Sequence, residues 1–162
     1  MTRLFVVAGM PGAGKTTRAA ALAVRHDAVH LQTDAWLSAQ GLDLLDAPLR
    51  RRTERQLWRH GRDLLGRRVS VVLDFGAWSR LERERYRRGA RELGVAVELH
   101  CLDVPLEERV RRVTARAASA AAAGRAVAEP TAAEQAAWAT LWQPATPDEL
   151  AAYDPPIAPP RM

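Results

Sequence analysis

The chain has 162 residues, a formal net charge of +5 and one cysteine, which suits one domain with a real core. Cys101 alone excludes an internal disulfide, and the four histidines (His26, His30, His60, His100) are scattered, without metal-ligand spacing. No run is long and apolar enough to span a membrane, and a strand begins almost at the N-terminus, so the sequence predicts a cytosolic protein without membrane contact.

Residues 3–8, β-branched and aromatic, predict a strand buried on both faces. Gly9, Met10, Pro11, Gly12, Ala13, Gly14, Lys15 and Thr16 follow and match the phosphate-loop pattern G-x-x-x-x-G-K-[ST] at every fixed position. Alanine and leucine dominate residues 16–24, so the loop opens directly into a helix. Strand, loop and helix therefore stand in the order a nucleotide site requires. Lys15 is the only lysine, and every other cationic side chain apart from histidine is arginine. Lysine kept at this one place suits a site that needs a compact ammonium where a planar guanidinium fork would not fit. The expectation is a bound nucleoside triphosphate, ATP, with Mg²⁺. Backbone N–H groups of residues 12–16 would converge on the phosphates at the positive end of the helix dipole. Gly9, Pro11, Gly12, Ala13, Gly14, Lys15, Thr16 and Thr17 form the predicted nucleotide site, with Lys15 reaching the β- and γ-phosphates and the Thr16 hydroxyl on the metal. The bland alternative is a glycine-rich turn that binds nothing, which the flanking elements oppose.

Residues 28–32 read as a second strand ending at Thr33 and Asp34. Asp46 as a cap and Pro48 in the first turn open a helix to about residue 65. A third strand, 69–73, ends at Asp74. Ser79 and Glu82 have capping-box spacing and start a helix to about residue 93, stopped by Gly94. A fourth strand covers 95–102, followed by Asp103 and by Pro105 at a helix start. Residues 106–127 are helical by propensity, and Thr131 with Glu134 and Thr146 with Glu149 predict two short helices. The proline-rich stretch 153–162 cannot continue a helix and is read as an extended tail. The reading is thus one domain over 1–152, with a lid at about 105–130, and a tail over 153–162.

The net charge invites a nucleic-acid reading, so the location of the cations matters. Arginines at 50, 51, 52, 55, 59, 62, 67 and 68, and again at 80, 83, 85, 87, 88 and 91, fall in helical stretches interleaved with glutamate and lack the aromatic interleaving of a single-strand groove. A solvated face is the simpler account. Arg109, Arg112 and Arg116 lie at i, i+3 and i+7 along one helix face, the spacing of a lid, with ordinary solvent-facing arginines as the alternative.

Strands alternating with helices predict an α/β fold of three layers, α/β/α, with a parallel sheet of four or five strands. Ligands in such folds bind at the carboxyl ends of the strands. The phosphate loop, Asp34, Asp74 and Asp103 all fall there and are expected to face one crevice. Three carboxylates around an anion site argue for chemistry beyond simple binding.

With these residues in place the chain resembles the small P-loop kinases of the AAA type, related to the kinase domain of phage polynucleotide kinase and more distantly to chloramphenicol phosphotransferase and zeta toxins. The resemblance covers about residues 3–120. It implies an ATP- and Mg²⁺-dependent phosphotransferase in which Asp34 receives the acceptor hydroxyl's proton, the segment from Asp74 through Trp78 to Arg80 lines the acceptor pocket, and Arg112 and Arg116 close near the transferring phosphoryl group. Catalytic roles fall on Lys15, Asp34, Arg112 and Arg116, and acceptor contacts on Asp34, Trp36, Asp74, Trp78 and Arg80. Polynucleotide kinases carry an arginine three residues after the base aspartate, where this chain has Leu37. Loss of that cation, between Trp36 and Trp78, implies a less charged, partly apolar small-molecule acceptor. A polynucleotide 5′-hydroxyl and a regulatory NTP-binding module are the alternatives.

Overall fold

The computed structural model describes residues 1–125 and 127–157. Its elements in chain order are β1 (Arg3–Gly9), α1 (Lys15–His26), β2 (Val29–Gln32), α2 (Thr33–Ala39), α3 (Ala47–Gly66), β3 (Val71–Gly76), α4 (Arg80–Arg91), β4 (Ala96–Leu102), α5 (Leu106–Ala122), α6 (Ala132–Ala139) and α7 (Pro147–Leu150). Among the described residues the sheet has four parallel strands in the order β2-β3-β1-β4.

β1 is central, and its alternation sorts the core into two layers. Leu4, Val6 and Ala8 point to one face, where they meet Leu57, Trp58 and Leu65 of α3 and Tyr86 and Ala90 of α4. Phe5 and Val7 point to the other and pack on Ala19 and Leu22 of α1. Helices on both faces of a parallel sheet leave the carboxyl ends of the strands as the open rim. Trp58 meets Tyr86 edge-on at 5.2 Å, and a Cβ on Gly89 would come within 2.7 Å of the Trp58 ring, so glycine there lets α3 and α4 approach.

Several predicted boundaries shift for identifiable reasons. Arg68 adopts a left-handed φ of 66° and Val69 donates to Leu64 O, so the α3 exit turn takes up the start of the expected third strand. Asp74 consequently lies inside β3. The long helix ends at Ala122, because Gly124 at φ 69° terminates it and Arg125 N returns to Ala120 O. The strand expected to end at Thr33 and Asp34 instead passes straight into α2. The Ser79 and Thr131 capping boxes form in full, whereas at α7 Thr146 accepts from Glu149 N while the Glu149 side chain goes elsewhere.

That elsewhere is Arg83. The α4 arginines were read as a solvated face, but Arg83 is fully buried, bonded to Glu149 through Nε at 2.7 Å and Nη2 at 2.8 Å, and donates to Ala77 O and Trp78 O. It ties α7 to the turn after β3. Beyond α7, Asp154 N donates to Val97 O and Val97 N donates to Asp154 Oδ2, so the chain covers the β4 edge where a fifth strand would pair. Of the expected tail over 153–162, residues 158–162 lie outside the described residues. No helix among the described residues is long and apolar enough to cross a membrane.

Candidate active site

The phosphate loop joins β1 to α1, and its backbone explains its composition. Gly12 and Gly14 hold φ of 80° and 93°, a region that side chains disfavour. A Cβ on Gly12 would strike Arg109 O at 2.7 Å, whereas one on Gly14 would meet nothing within 4 Å. Gly12 is thus a point of close approach to α5, and Gly14 lies under the open cradle. Gly14 caps α1 without any side-chain bond, which leaves the first N–H groups of the helix, starting at Lys15, directed at that space. Orphan donors at the positive end of a helix dipole form an anion site.

Lys15 folds back so that Nζ donates to Met10 O at 3.1 Å. Burial holds its ammonium below the ordinary lysine range, Asp74 and Asp34 draw it back up, and Arg50 and Arg116 push it down. Those four side chains, from β3, α2, α3 and α5, define the charged surroundings of the loop.

Thr16 Oγ1 donates to Asp74 Oδ2 at 2.9 Å and accepts from Gln32 Nε2 at 3.0 Å. Asp74 is almost fully buried and also faces His30 Nε2 at 3.4 Å. Hard oxygens on adjacent hydroxyl and carboxylate groups fit a magnesium ion beside a phosphate chain. Asp74, expected among the acceptor contacts, is bonded here to Thr16 of the phosphate loop.

Asp34 stands in the first turn of α2 with its side chain 54 % exposed. Trp36, two residues on, is 48 % exposed. From α5, Arg112 bonds Glu108 at 2.7 Å and reaches Gly12 O at 3.3 Å. Arg116 is held by Glu129 at 2.5 and 2.6 Å. Arg109 leaves the expected row, since it is buried with Nε on Val104 O at 3.0 Å.

Other expected members make contacts of their own. Asp103 accepts from Trp142 Nε1 at 2.8 Å, whereas Asp34 and Asp74 draw on Lys15. Trp78 is half-buried and leans on Trp138 at 5.9 Å. Arg80 opens α4 and shares a shallow depression with Glu84, Arg87 and Arg88. Positions i, i+4, i+7 and i+8 lie on one side of a helix, which carries Arg80 to the outer face of α4.

A family described as an AAA domain matches residues 4–142. The chain belongs to this family of P-loop kinase-like proteins. No curated protein matches it significantly. Among solved structures, a chain of the Pnkp1/Rnl/Hen1 RNA repair complex is similar over 86 % of this chain and 43 % of its own length, at 20 % identity and a TM-score of 0.71. This chain therefore spans less than half of that one. A sugar kinase from Janibacter sp. is similar over 91 % and 82 % at 26 % identity and a TM-score of 0.61. A gluconokinase from Sinorhizobium meliloti is similar over 87 % and 75 % at 18 % identity and a TM-score of 0.57. The fold is that of the P-loop kinases.

Three residues of this family member's site were missed by sequence reasoning. His30 and Gln32 alternate on β2, so a strand reading already put them on one face, yet neither belongs to the phosphate-loop motif. Arg50 is the larger omission: its Nη1 donates to Asp34 Oδ1 at 2.5 Å. Leu37, the position where a cation was expected and judged lost, is fully buried. The cation beside Asp34 comes from α3, which overturns the inference that this pocket lacks one.

Proposed function

We propose that the protein is an ATP-dependent phosphotransferase that moves the γ-phosphate to a hydroxyl group of a small molecule. The observation that carries this reading is the division of labour between two carboxylates near Lys15. Asp74 is buried against the Thr16 hydroxyl, while Asp34, which also acts on Lys15, is exposed. A module that only binds nucleotide has no use for the second, whereas transfer to a hydroxyl needs a base placed for that hydroxyl.

Phosphoryl transfer depends on alignment and charge neutralisation more than on covalent help, because the transition state is loose and its charge is spread over oxygens. The loop amides of residues 12–17 and Lys15 hold the phosphates. Thr16 and Asp74 are the residues to hold Mg²⁺, which when bound neutralises charge on the β- and γ-phosphate oxygens. Asp34 orients the acceptor hydroxyl and takes its proton as the acceptor oxygen bonds to the γ-phosphorus. The bond from that phosphorus to the bridging oxygen breaks, and ADP leaves with the electron pair. Arg112 and Arg116 exchange Glu108 and Glu129 for the transferring group and exclude water. Trp36 supplies an apolar wall.

The competing acceptor, a polynucleotide 5′-hydroxyl, requires a track of free cations. On α4 and at the end of α3 arginines are engaged, Arg62 with Glu92, Arg87 and Arg88 with Glu84, and Arg91 with Asp154, which leaves the exposed Arg51, Arg52, Arg55 and Arg59 of α3 for such a track. The test is incubation with γ-labelled ATP and Mg²⁺, with a fractionated metabolite extract in one arm and a 5′-hydroxyl oligonucleotide in the other. Label on a small molecule supports the reading and identifies the acceptor by mass. Label on the oligonucleotide replaces it with the competing one, and label in free phosphate alone favours a regulatory ATPase.

A further inference from the structure

Arg50 has no part in the mechanism above, yet it is built into the acceptor side of the crevice. Asp46 caps α3 by accepting from Leu49 N, and Arg50 N donates to Asp46 O, so the stem leaves a well-fixed first turn. Nη1 is shared between Asp34 Oδ1 at 2.5 Å and Leu44 O at 2.9 Å. The Leu44 bond keeps the guanidinium in place whether or not Asp34 stays with it. Nη2 faces Glu54 Oε1 at 4.0 Å, beyond hydrogen-bond reach. A planar fork, anchored at one corner, thus stands with its side chain 28 % exposed beside the carboxylate assigned to the acceptor hydroxyl.

The proposed reaction changes the balance of charge around that fork. Arg50 engages only Oδ1 of Asp34, so the other oxygen is open to the acceptor hydroxyl, but once Asp34 takes that proton it is neutral and no longer balances the guanidinium. Glu54, the other nearby carboxylate, does not compensate: burial pushes it up to about 7, so much of it is neutral at physiological pH. A guanidinium so placed can take a second anion in exchange for water, and its geometry fits carboxylate or phosphate oxygens in a bidentate manner. We infer that Arg50 anchors an anionic group of the acceptor, which is therefore a hydroxyl compound carrying a carboxylate or a phosphate. The inference names the substrate class of the phosphotransferase site and rests on that reading.

Binding, without transfer, tests it. The full chain is saturated with β,γ-imido-ATP and Mg²⁺ to fill the γ-phosphate subsite, then titrated calorimetrically with glycerol, glycerate and glycerol 3-phosphate, which share a carbon skeleton and differ in the anion. One or both anions should bind where glycerol does not, and the better of them tells carboxylate from phosphate. Arg50→Gln should weaken that binding by about 10-fold or more, the loss of a charge-assisted hydrogen bond. Arg50→Lys should recover only part of it, because an ammonium lacks the fork. Asp34→Asn should tighten it, since a competing carboxylate is gone. Equal binding of all three probes, binding of none, or anion affinity unchanged in Arg50→Gln overturns the inference. Arg50-dependent anion binding in a protein that labels no acceptor would retain the anchor and refute the kinase reading. Transfer to a neutral acceptor without anion binding would do the reverse.

Discussion

Arg83 with Glu149 and Arg50 with Asp34 put the same two chemical groups in contact in opposite settings. The first pair meets through two bonds with side chains 0 % and 5 % exposed; the second meets through one bond with side chains 28 % and 54 % exposed. A buried pair cannot trade partners, because either ion left alone in the interior keeps its desolvation cost. An exposed pair at a rim can, because water takes up the released charge and the net strength of such a pair is small. Identical atoms thus make a structural clasp in one place and an exchangeable contact in the other.

The comparison can be broken most forcefully from the buried side. Glu149→Gln leaves Arg83 uncompensated and should cost about 3–5 kcal/mol of stability, read from the shift in denaturant midpoint. A loss comparable to that of a surface pair would remove the distinction. The next effect should come from α5: Arg112, exposed and bonded to Glu108 and Gly12 O, should on replacement by alanine lower turnover on the order of 10³-fold while the melting temperature stays put. Loss of fold in that variant would mean that Arg112 belongs with Arg83 instead.

A smaller effect sharpens the Arg50 side. Glu54 has a folded-state pKa above its unfolded one, so its ionisation opposes folding. Its destabilising effect should be absent below about pH 4.5, grow as pH rises, and be complete above about 7. Glu54→Gln should flatten the fall in melting temperature between pH 5 and 8, with about 2–4 °C expected per kcal/mol for a chain of this size. Parallel pH profiles for the two proteins would show that Glu54 is solvated and ionised throughout.

The two pairs also mark where the sequence stops being legible. The phosphate loop is a contiguous string whose glycines and lysine declare their own backbone and charge requirements, and the alternation of strands and helices implies the parallel sheet. Arg83 could not be told from Arg80, Arg87 or Arg88, because burial on α4 depends on which way the helix is turned by Trp58 and Gly89. Arg50 meets Asp34 only because α2 intervenes between β2 and the α3 cap, and α2 carries little signal: seven residues, opened by Gln32 without a side-chain cap bond. Asp74 was recognised as a site residue, but its partner Thr16 is 58 positions away, so strand order had to be known before that contact was.

The central claim is that Asp34 serves an acceptor and not the nucleotide. It is tested most directly by comparing wild type with Asp34→Asn in two readings on the same preparation: ATP·Mg²⁺ affinity by calorimetry and label transfer from γ-labelled ATP to the acceptor fraction. The account predicts affinity within about 3-fold of wild type and transfer lowered by about 10²-fold or more, the range for removal of a general base. Transfer that persists in Asp34→Asn while Lys15→Ala abolishes it would contradict the assignment.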